Sequence, residues 1–128
     1  MSAKSNYLEN AVLDHVLGTS ALTSPTAYLS LYTSDPGEAD TGTELSGSGY
    51  ARQSVAFNAA SGGSATGPTV AKEFTASGGA WGTVTHFALH DASSGGNLLY
   101  YGSLTASKVI ADGDTLRFAA DSITVTEA

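Results

Sequence analysis

Short runs of alternating apolar and polar residues, separated by Gly- and Ser-rich loops, recur about every ten residues along most of this chain. In residues 27–32, Leu29 and Leu31 fall on one side of an extended chain and Ser30 on the other. Similar runs lie in residues 50–57, 69–75, 82–90, 97–104, 108–111, 115–119 and 122–126. No helical patterns alternate with them, so a parallel sheet is not indicated. The pattern predicts an all-β, antiparallel β-sandwich of jelly-roll type over residues 19–128.

Composition agrees with one small β-domain. The chain has 128 residues, enough for a single hydrophobic core. Its 15 Gly, 17 Ser and 15 Thr suit turns and strands, while 41% hydrophobic residues is too many for a disordered chain. Within the sandwich, residues 82–90 and 97–104 should pair as an antiparallel hairpin.

The N-terminal residues 1–18 carry the one helical pattern. Leu8, Val12, His15 and Val16 recur at helical spacing, and Leu13 and Leu17 widen this apolar stripe. Ser5 can cap the first turn, and Gly18 can end the helix. A helix this short needs a surface to order it. Two interpretations remain open: the helix covers its own sheet, or it is an attachment arm that docks on a neighbouring subunit. The second makes Leu8, Val12, His15 and Val16 predicted interface residues.

Charge and cysteine content exclude several partners. A net charge of -7 with five Lys and Arg is too acidic to neutralise a row of phosphates, so neither nucleic acid nor an anionic membrane is expected as a partner. With no cysteine, a thiol nucleophile and Cys-ligated metals are excluded. The start lacks an apolar leader pattern, which favours a soluble, non-secreted product. No cofactor is expected.

Candidate catalytic and metal-binding patterns are weak. The triplet 40–42 (Asp-Thr-Gly) matches an aspartic-protease signature, but it lies in the acidic stretch 34–49, which reads as an exposed, mutation-tolerant loop. His86 and His90 are too far apart on a strand to share a metal ion and read as surface or interface histidines. The three residue types of a Ser-His-Asp catalytic triad are all present, but the sequence contains no motif for a serine nucleophile. We expect no catalytic and no metal site, and the chain is not expected to be an enzyme.

Aromatic residues leave a binding role open. Trp81, His86, Tyr100 and Tyr101 could stack on sugars if they shared one exposed face, but core or subunit packing is the commoner use of such residues.

Arg52 and Arg117 are the only arginines, and both fall in predicted strands. A long cation there is expected to find a carboxylate partner. We predict that at least one of them contacts a carboxylate across a subunit boundary, with a pair inside the chain as the equal alternative.

Five segments together resemble a family of small tailed-bacteriophage virion structural proteins, described as tail-fibre-like or capsid decoration proteins. They are residues 6–10 with 13–15, 29–36, 49–53, 81–87 and 113–118. The resemblance runs over nearly the whole chain and supplies no catalytic residues. It implies a place in the virion, a homo-oligomer, and phage coat or tail proteins as partners. The leading expectation is a capsid decoration, or cement, protein that stabilises neighbouring coat subunits. The alternative is a tail or fibre component that binds a host-surface glycan.

Overall fold

The computed structural model describes residues 3–126, which form one helix and nine strands. Strand β1, Ala3–Lys4, precedes helix α1, Asn6–Val16. The other strands are β2 (Ala27–Tyr32), β3 (Gln53–Val55), β4 (Ser64–Gly67), β5 (Lys72–Thr75), β6 (Gly82–His90), β7 (Leu98–Ile110), β8 (Thr115–Phe118) and β9 (Ile123–Thr126). All strand pairs among these residues are antiparallel. The predicted all-β antiparallel fold with one N-terminal helix is confirmed.

The main sheet has five strands in the order β1-β7-β6-β2-β3, and two further ladders pair β4 with β9 and β5 with β8. The predicted hairpin is confirmed, because β6 and β7 are neighbours and Phe87 lies opposite Gly102. Strand β2 pairs with the other side of β6, with Leu31 opposite Phe87. The centre of the sheet is thus built from the two longest strands and β2.

Both ladders contribute to one hydrophobic core with the main sheet. The cluster includes Leu31 and Phe87 from the sheet, Phe118 from the β5-β8 ladder and Val125 from the β4-β9 ladder. The Phe118 ring lies edge-on to Phe87 and to Phe74, with centroid distances of 6.5 and 6.0 Å. The ladders therefore form a second layer over one sheet face, and this layer is two separate ladders rather than one continuous sheet.

Helix α1 begins and ends as its sequence predicts. The Ser5 side chain accepts a hydrogen bond from the backbone N–H of Leu8, and Gly18 has a φ of +82°. Gly18 N–H donates to His15 O and Thr19 N–H to Asp14 O, which satisfies the last carbonyls of the helix. The predicted N-cap and C-terminal glycine are therefore confirmed.

The segment predicted as an arm contacts the β-domain through strand β1, through Ser5 and Asn6, and through helix α1. Strand β1 adds to β7, with Lys4 opposite Tyr100, and Leu8 is buried in the core. Residues 1–2 of the predicted arm and 127–128 of the predicted sandwich lie outside the described residues. The division into an arm and a sandwich stays a prediction.

The strands differ from the sequence prediction most clearly at β1, β4 and β7. Residues 59–67 were expected to form a loop, but β4 lies within them, and β1 was not predicted. Residues 97–104 and 108–111 were expected as separate strands, but β7 runs through Leu98–Ile110. In β4 the sequence Ser-Ala-Thr-Gly has no large apolar residue to mark alternation, and backbone pairing with β9 decides its structure.

Candidate functional site

The predicted interface residues of α1 divide between two environments. Leu8 is buried in the core, and Val12 is half-buried against it. His15 is exposed, and its Nδ1 accepts a hydrogen bond from the backbone N–H of Leu22 at 3.0 Å. Val16 is 70% exposed. The helix therefore covers its own sheet through Leu8 and Val12, and the interface role of these four residues stays a prediction.

An exposed apolar strip lies on the outer side of α1. Leu13, Val16 and Leu17 are spaced at i, i+3 and i+4, and they are 56%, 70% and 74% exposed. The sequence pattern had assigned Leu13 and Leu17 to the same stripe as Leu8. The structure corrects this, because they lie away from the buried residues Leu8 and Val12. This strip is the main exposed apolar surface of the helix.

The two arginines lie in different surroundings. The Arg52 side chain is only 7% exposed and forms a two-pronged pair with Glu44 of the same chain, at 2.8 Å from both Nε and Nη2. Its Nη1 donates to the carbonyls of Ala92 and Gly95. Arg117 is 56% exposed, and its Nε lies 3.9 Å from Glu73. Whether either arginine also reaches a neighbouring subunit stays a prediction.

A polar network fills the face of the main sheet that turns away from the core. His90 and Ser30 are fully buried, and Ser30 Oγ lies 3.0 Å from His90 Nδ1. His90 Nε2 lies 3.1 Å from Tyr32 Oη and 3.4 Å from Asp40 Oδ2. Tyr32 Oη donates to Asp40 Oδ1 at 2.7 Å. Tyr32, His90 and Asp40 therefore form one connected network, which Ser30 joins through His90 Nδ1.

A second part of the network holds the other end of the same loop. Tyr50 Oη donates to Glu44 Oε2 at 2.6 Å and accepts a bond from the backbone N–H of Leu31. Burial alone would raise the pKa of Glu44, but hydrogen bonds from Arg52 and Tyr50 outweigh it and lower that pKa. Glu44 therefore stays ionised and ties the loop to β2 and to Arg52.

The loop of residues 34–49 is largely exposed, as its composition predicts, but it is also fastened to the sheet. Pro36 and Leu45 are buried, and Asp40 and Glu44 hydrogen-bond to side chains of the sheet and of residues 50–52. The tolerance of this loop to substitution stays a prediction, although the Asp40 carboxylate accepts a hydrogen bond from Tyr32. The charges of this loop serve its attachment as well as its solubility.

The Asp-Thr-Gly triplet has a structural explanation. Asp40 has a positive φ of +55°, which places its carboxylate against Tyr32. At Gly42, a Cβ atom would lie 2.5 Å from the Asp35 carbonyl oxygen, so no larger residue fits without movement. The path of the loop therefore restricts position 42 to glycine, and Asp40 is one of the few residue types that tolerate a left-handed backbone.

Sequence reasoning missed the role of His90, which was read as a surface or interface histidine and is fully buried. Ser30 and Tyr32 share one face of β2 by alternation, and Ser30 lies opposite Ala88 on β6. This register places His90 beside Ser30 and Tyr32, but deducing it requires knowing that β2 and β6 are neighbours. Pairing, rather than any local motif, was the missing information.

The aromatic residues considered for sugar stacking do not share a face. Trp81 is buried in the core, and its Nε1 donates to the Ser48 carbonyl. Tyr100 packs against the core cluster, while Tyr101 packs against Tyr32 and its neighbours on the opposite face. These side chains therefore do not form one platform.

His90 should make stability depend on pH. Burial, followed by the charge of Arg52, lowers its pKa below the ordinary value of 6.5, although Asp40 opposes this and the ionised Glu44 also favours the charged ring. Burial, together with the bond to Asp40, raises the pKa of Tyr32, which therefore stays neutral. Because His90 takes up a proton more readily in the unfolded chain than in the folded one, low pH favours unfolding. The contribution of neutral His90 to the free energy of unfolding should therefore be complete above pH 6.5 and decrease below it.

We therefore expect the melting temperature to fall as pH is lowered from 7 to about 5, and His90→Gln to flatten that part of the profile. Thermal melts by circular dichroism across this range would measure it. Val70→Gln, an exposed change that removes no titratable group, is the control and should leave the slope unchanged. An equal slope in wild-type and His90→Gln protein would contradict the assignment.

No group of three or more His, Cys, Asp or Glu residues within 3–126 is arranged to hold a metal ion. In the same part of the chain, no helix has the length and apolar character needed to cross a membrane.

These features define a small antiparallel β-domain whose N-terminal helix packs on the sheet and whose long acidic loop is fastened to the opposite sheet face. A family model described as Podophage GP4 fiber I protein gp80 matches residues 3–126. The chain belongs to this family. It is a structural component of a bacteriophage virion, where it interacts with other virion proteins. A search of curated proteins finds no match to the chain.

Proposed function

We propose that this chain is a fibre component of the virion rather than a capsid decoration protein. The observation that carries the proposal is the family match, which covers nearly all described residues and whose description names a fibre protein. Capsid decoration, which sequence reasoning favoured, is the alternative. The two differ in copy number, because decoration of a shell requires hundreds of copies per particle and a fibre requires far fewer.

The exposed apolar strip of α1 is the proposed attachment surface. Leu13, Val16 and Leu17 are exposed on a helix whose other side is fixed to the sheet through Leu8. Because the strip stands on a rigid support, a partner can bury it with little loss of conformational freedom. The occupant is an apolar groove on a neighbouring virion protein, and the mode is that of a helix in a groove.

The chain is proposed to act through contacts and not through catalysis. Ser30, His90 and Asp40 include the three residue types of a hydrolase triad, but Ser30 is fully buried. The Ser30 hydroxyl is also within 3.1 Å of the Ala88 carbonyl, inside the paired strands β2 and β6. A nucleophile must reach its substrate, so this arrangement favours a structural role for the network.

Copies of the chain are proposed to associate within the fibre. At a net charge of -7 each, copies in contact repel one another unless apolar or paired surfaces offset that charge. We place such contacts outside the strip of Leu13, Val16 and Leu17, because that strip is assigned to the neighbouring virion protein.

Replacing Leu13, Val16 and Leu17 together by Gln should lower the copy number of the chain per particle at least about tenfold. Gln favours helix and the three side chains are exposed, so the melting temperature of the isolated chain should change little. Quantitative gels of purified particles that carry wild-type or variant protein would measure the copy number.

Val70→Gln is the matched control, because Val70 is 66% exposed but lies outside the helix. It should leave the copy number unchanged. Normal incorporation of the triple variant would refute the attachment surface. Hundreds of wild-type copies per particle would favour decoration over a fibre.

A further inference from the structure

A groove of about 430 Å³ lies between β7 and the two strands β8 and β9, outside the polar network described above. Its floor is apolar, with Phe87, Phe118 and Ile123 buried beneath it. Its walls are polar and exposed. Strands β8 and β9 belong to different ladders, so the groove marks the place where the second layer of the fold is interrupted.

One wall of the groove is formed by an irregular part of β7. Val84 lies opposite Lys108 and His86 lies opposite Ser103, so the single residue Thr85 faces the four residues 104–107. Such an insertion re-aims side chains and is typical of positions next to binding sites. Here it brings residues 103–106 and Lys108 to the groove.

The groove concentrates positive charge on an acidic protein. Lys108 and Arg117 both line the groove, and they are two of the five Lys and Arg residues in the chain. No Asp or Glu is among the lining residues. Lys108 has no ion-pair partner among residues 3–126, and Arg117 has only the long contact of 3.9 Å to Glu73. Both cations are exposed, so they are available to an anion.

Four hydroxyl side chains surround these cations. Ser103, Thr105, Ser122 and Thr124 line the groove and are exposed, and within the described part of the chain their hydroxyls make no side-chain hydrogen bond. Hydroxyl groups can donate to and accept from the hydroxyls of a sugar. Lys108 has no carboxylate partner among the described residues and Arg117 has only the long contact to Glu73, so these cations favour a ligand with an acidic group over a neutral sugar.

We propose that this groove binds a carboxylate-bearing saccharide of the uronic-acid class, with Lys108 and Arg117 on the carboxylate and the four hydroxyls on the sugar. The proposal rests on the proposed fibre role for its biological setting, namely contact with a host surface. Two cations on a chain of charge -7 match a single carboxylate per sugar far better than a row of phosphates.

The test uses the full chain and oligogalacturonate as the probe, with a neutral galactose oligosaccharide of the same length as the control ligand. Isothermal titration calorimetry should detect binding of oligogalacturonate only, and binding should weaken as salt is raised. Lys108→Glu should lower the affinity at least about tenfold, since it replaces an attraction by a repulsion. Lys72→Glu makes the same change of charge outside the groove and should have little effect.

Arg117→Gln is a second, milder variant at an exposed position, and melts by circular dichroism confirm that each variant folds. No binding of oligogalacturonate, equal binding of the neutral sugar, or equal losses in Lys108→Glu and Lys72→Glu would each overturn the proposal. Sedimentation velocity tests whether a second copy of the chain occupies the groove instead. If the chain binds no saccharide but self-associates, and Lys108→Glu abolishes the self-association, the groove is a contact between copies. None of these outcomes alters the copy number of the chain in particles, which tests the fibre role separately.

Discussion

Replacing Phe118 by Ala is expected to lower the free energy of unfolding by about 4 kcal/mol. Phe118 is only 7% exposed and contacts Phe87 of the main sheet and Phe74 of its own ladder. Its removal takes away buried apolar surface and leaves a cavity between the layers, which the surrounding strands can close only in part. Urea denaturation followed by circular dichroism would measure the loss.

Thr115→Ala is the control on the same strand, since Thr115 is exposed and contributes no core contact. It should change stability by no more than about 0.5 kcal/mol. A loss below about 1 kcal/mol for Phe118→Ala would mean that the β5-β8 ladder does not pack on the main sheet as described.

Replacing Arg52 by Ala is expected to cost about 3 kcal/mol, because it leaves the carboxylate of Glu44 without its partner in a partly buried site. The carbonyls of Ala92 and Gly95 lose their donor as well. The hydrogen bonds that Arg52 donates to Glu44 raise the pKa of Arg52 despite its burial, so the guanidinium stays charged in this pair. Chemical denaturation would show a lower midpoint with an unchanged slope.

Arg117→Ala is the matched control for Arg52→Ala, as the chain's other arginine and a largely exposed one. It should change stability by less than about 0.5 kcal/mol, because exposed ion pairs contribute little. Arg52→Lys keeps the charge but cannot form the two-pronged contact, so it should recover only part of the loss. Equal stability of Arg52→Ala and Arg117→Ala would contradict the role given to the Glu44 pair.

Local sequence patterns predicted the parts of the fold that depend on neighbouring residues. Alternation located β2, β6 and the hairpin to β7, and the caps at Ser5 and Gly18 located the helix. Strand β4 escaped detection because its residues are small and its conformation is fixed by β9, far along the chain. The division of the second layer into two ladders also depends on pairing between distant strands, and the alternation of residues within one strand does not reveal that pairing.

The polar network was hidden for the same reason. Ser30 and His90 are sixty positions apart, and only the register of β2 on β6 brings them together. Asp40 and Glu44 looked like solvated loop charges, because composition does not reveal that Tyr32 and Arg52 lie beneath them. By contrast, the expectation that Arg52 has a carboxylate partner followed from its type and position in a strand, and the partner is Glu44 of the same chain.

The resemblance in residues such as 29–36 and 81–87 indicated the virion setting, and the family match over 3–126 supports it. The sequence alone did not distinguish a position on the capsid from a position in the tail or fibre. The outward strip of Leu13, Val16 and Leu17 and the cationic groove beside β7 now give two separate surfaces, one for attachment and one for a ligand, on different parts of the molecule.

The central claim, that this chain is a fibre component, is tested most directly by electron microscopy of purified particles labelled with gold-conjugated antibody against the chain. We expect gold at projecting fibres, a bare shell, and loss of the label from particles made with the Leu13, Val16 and Leu17 variant. Gold distributed evenly over the shell of wild-type particles would contradict it and assign the chain to capsid decoration.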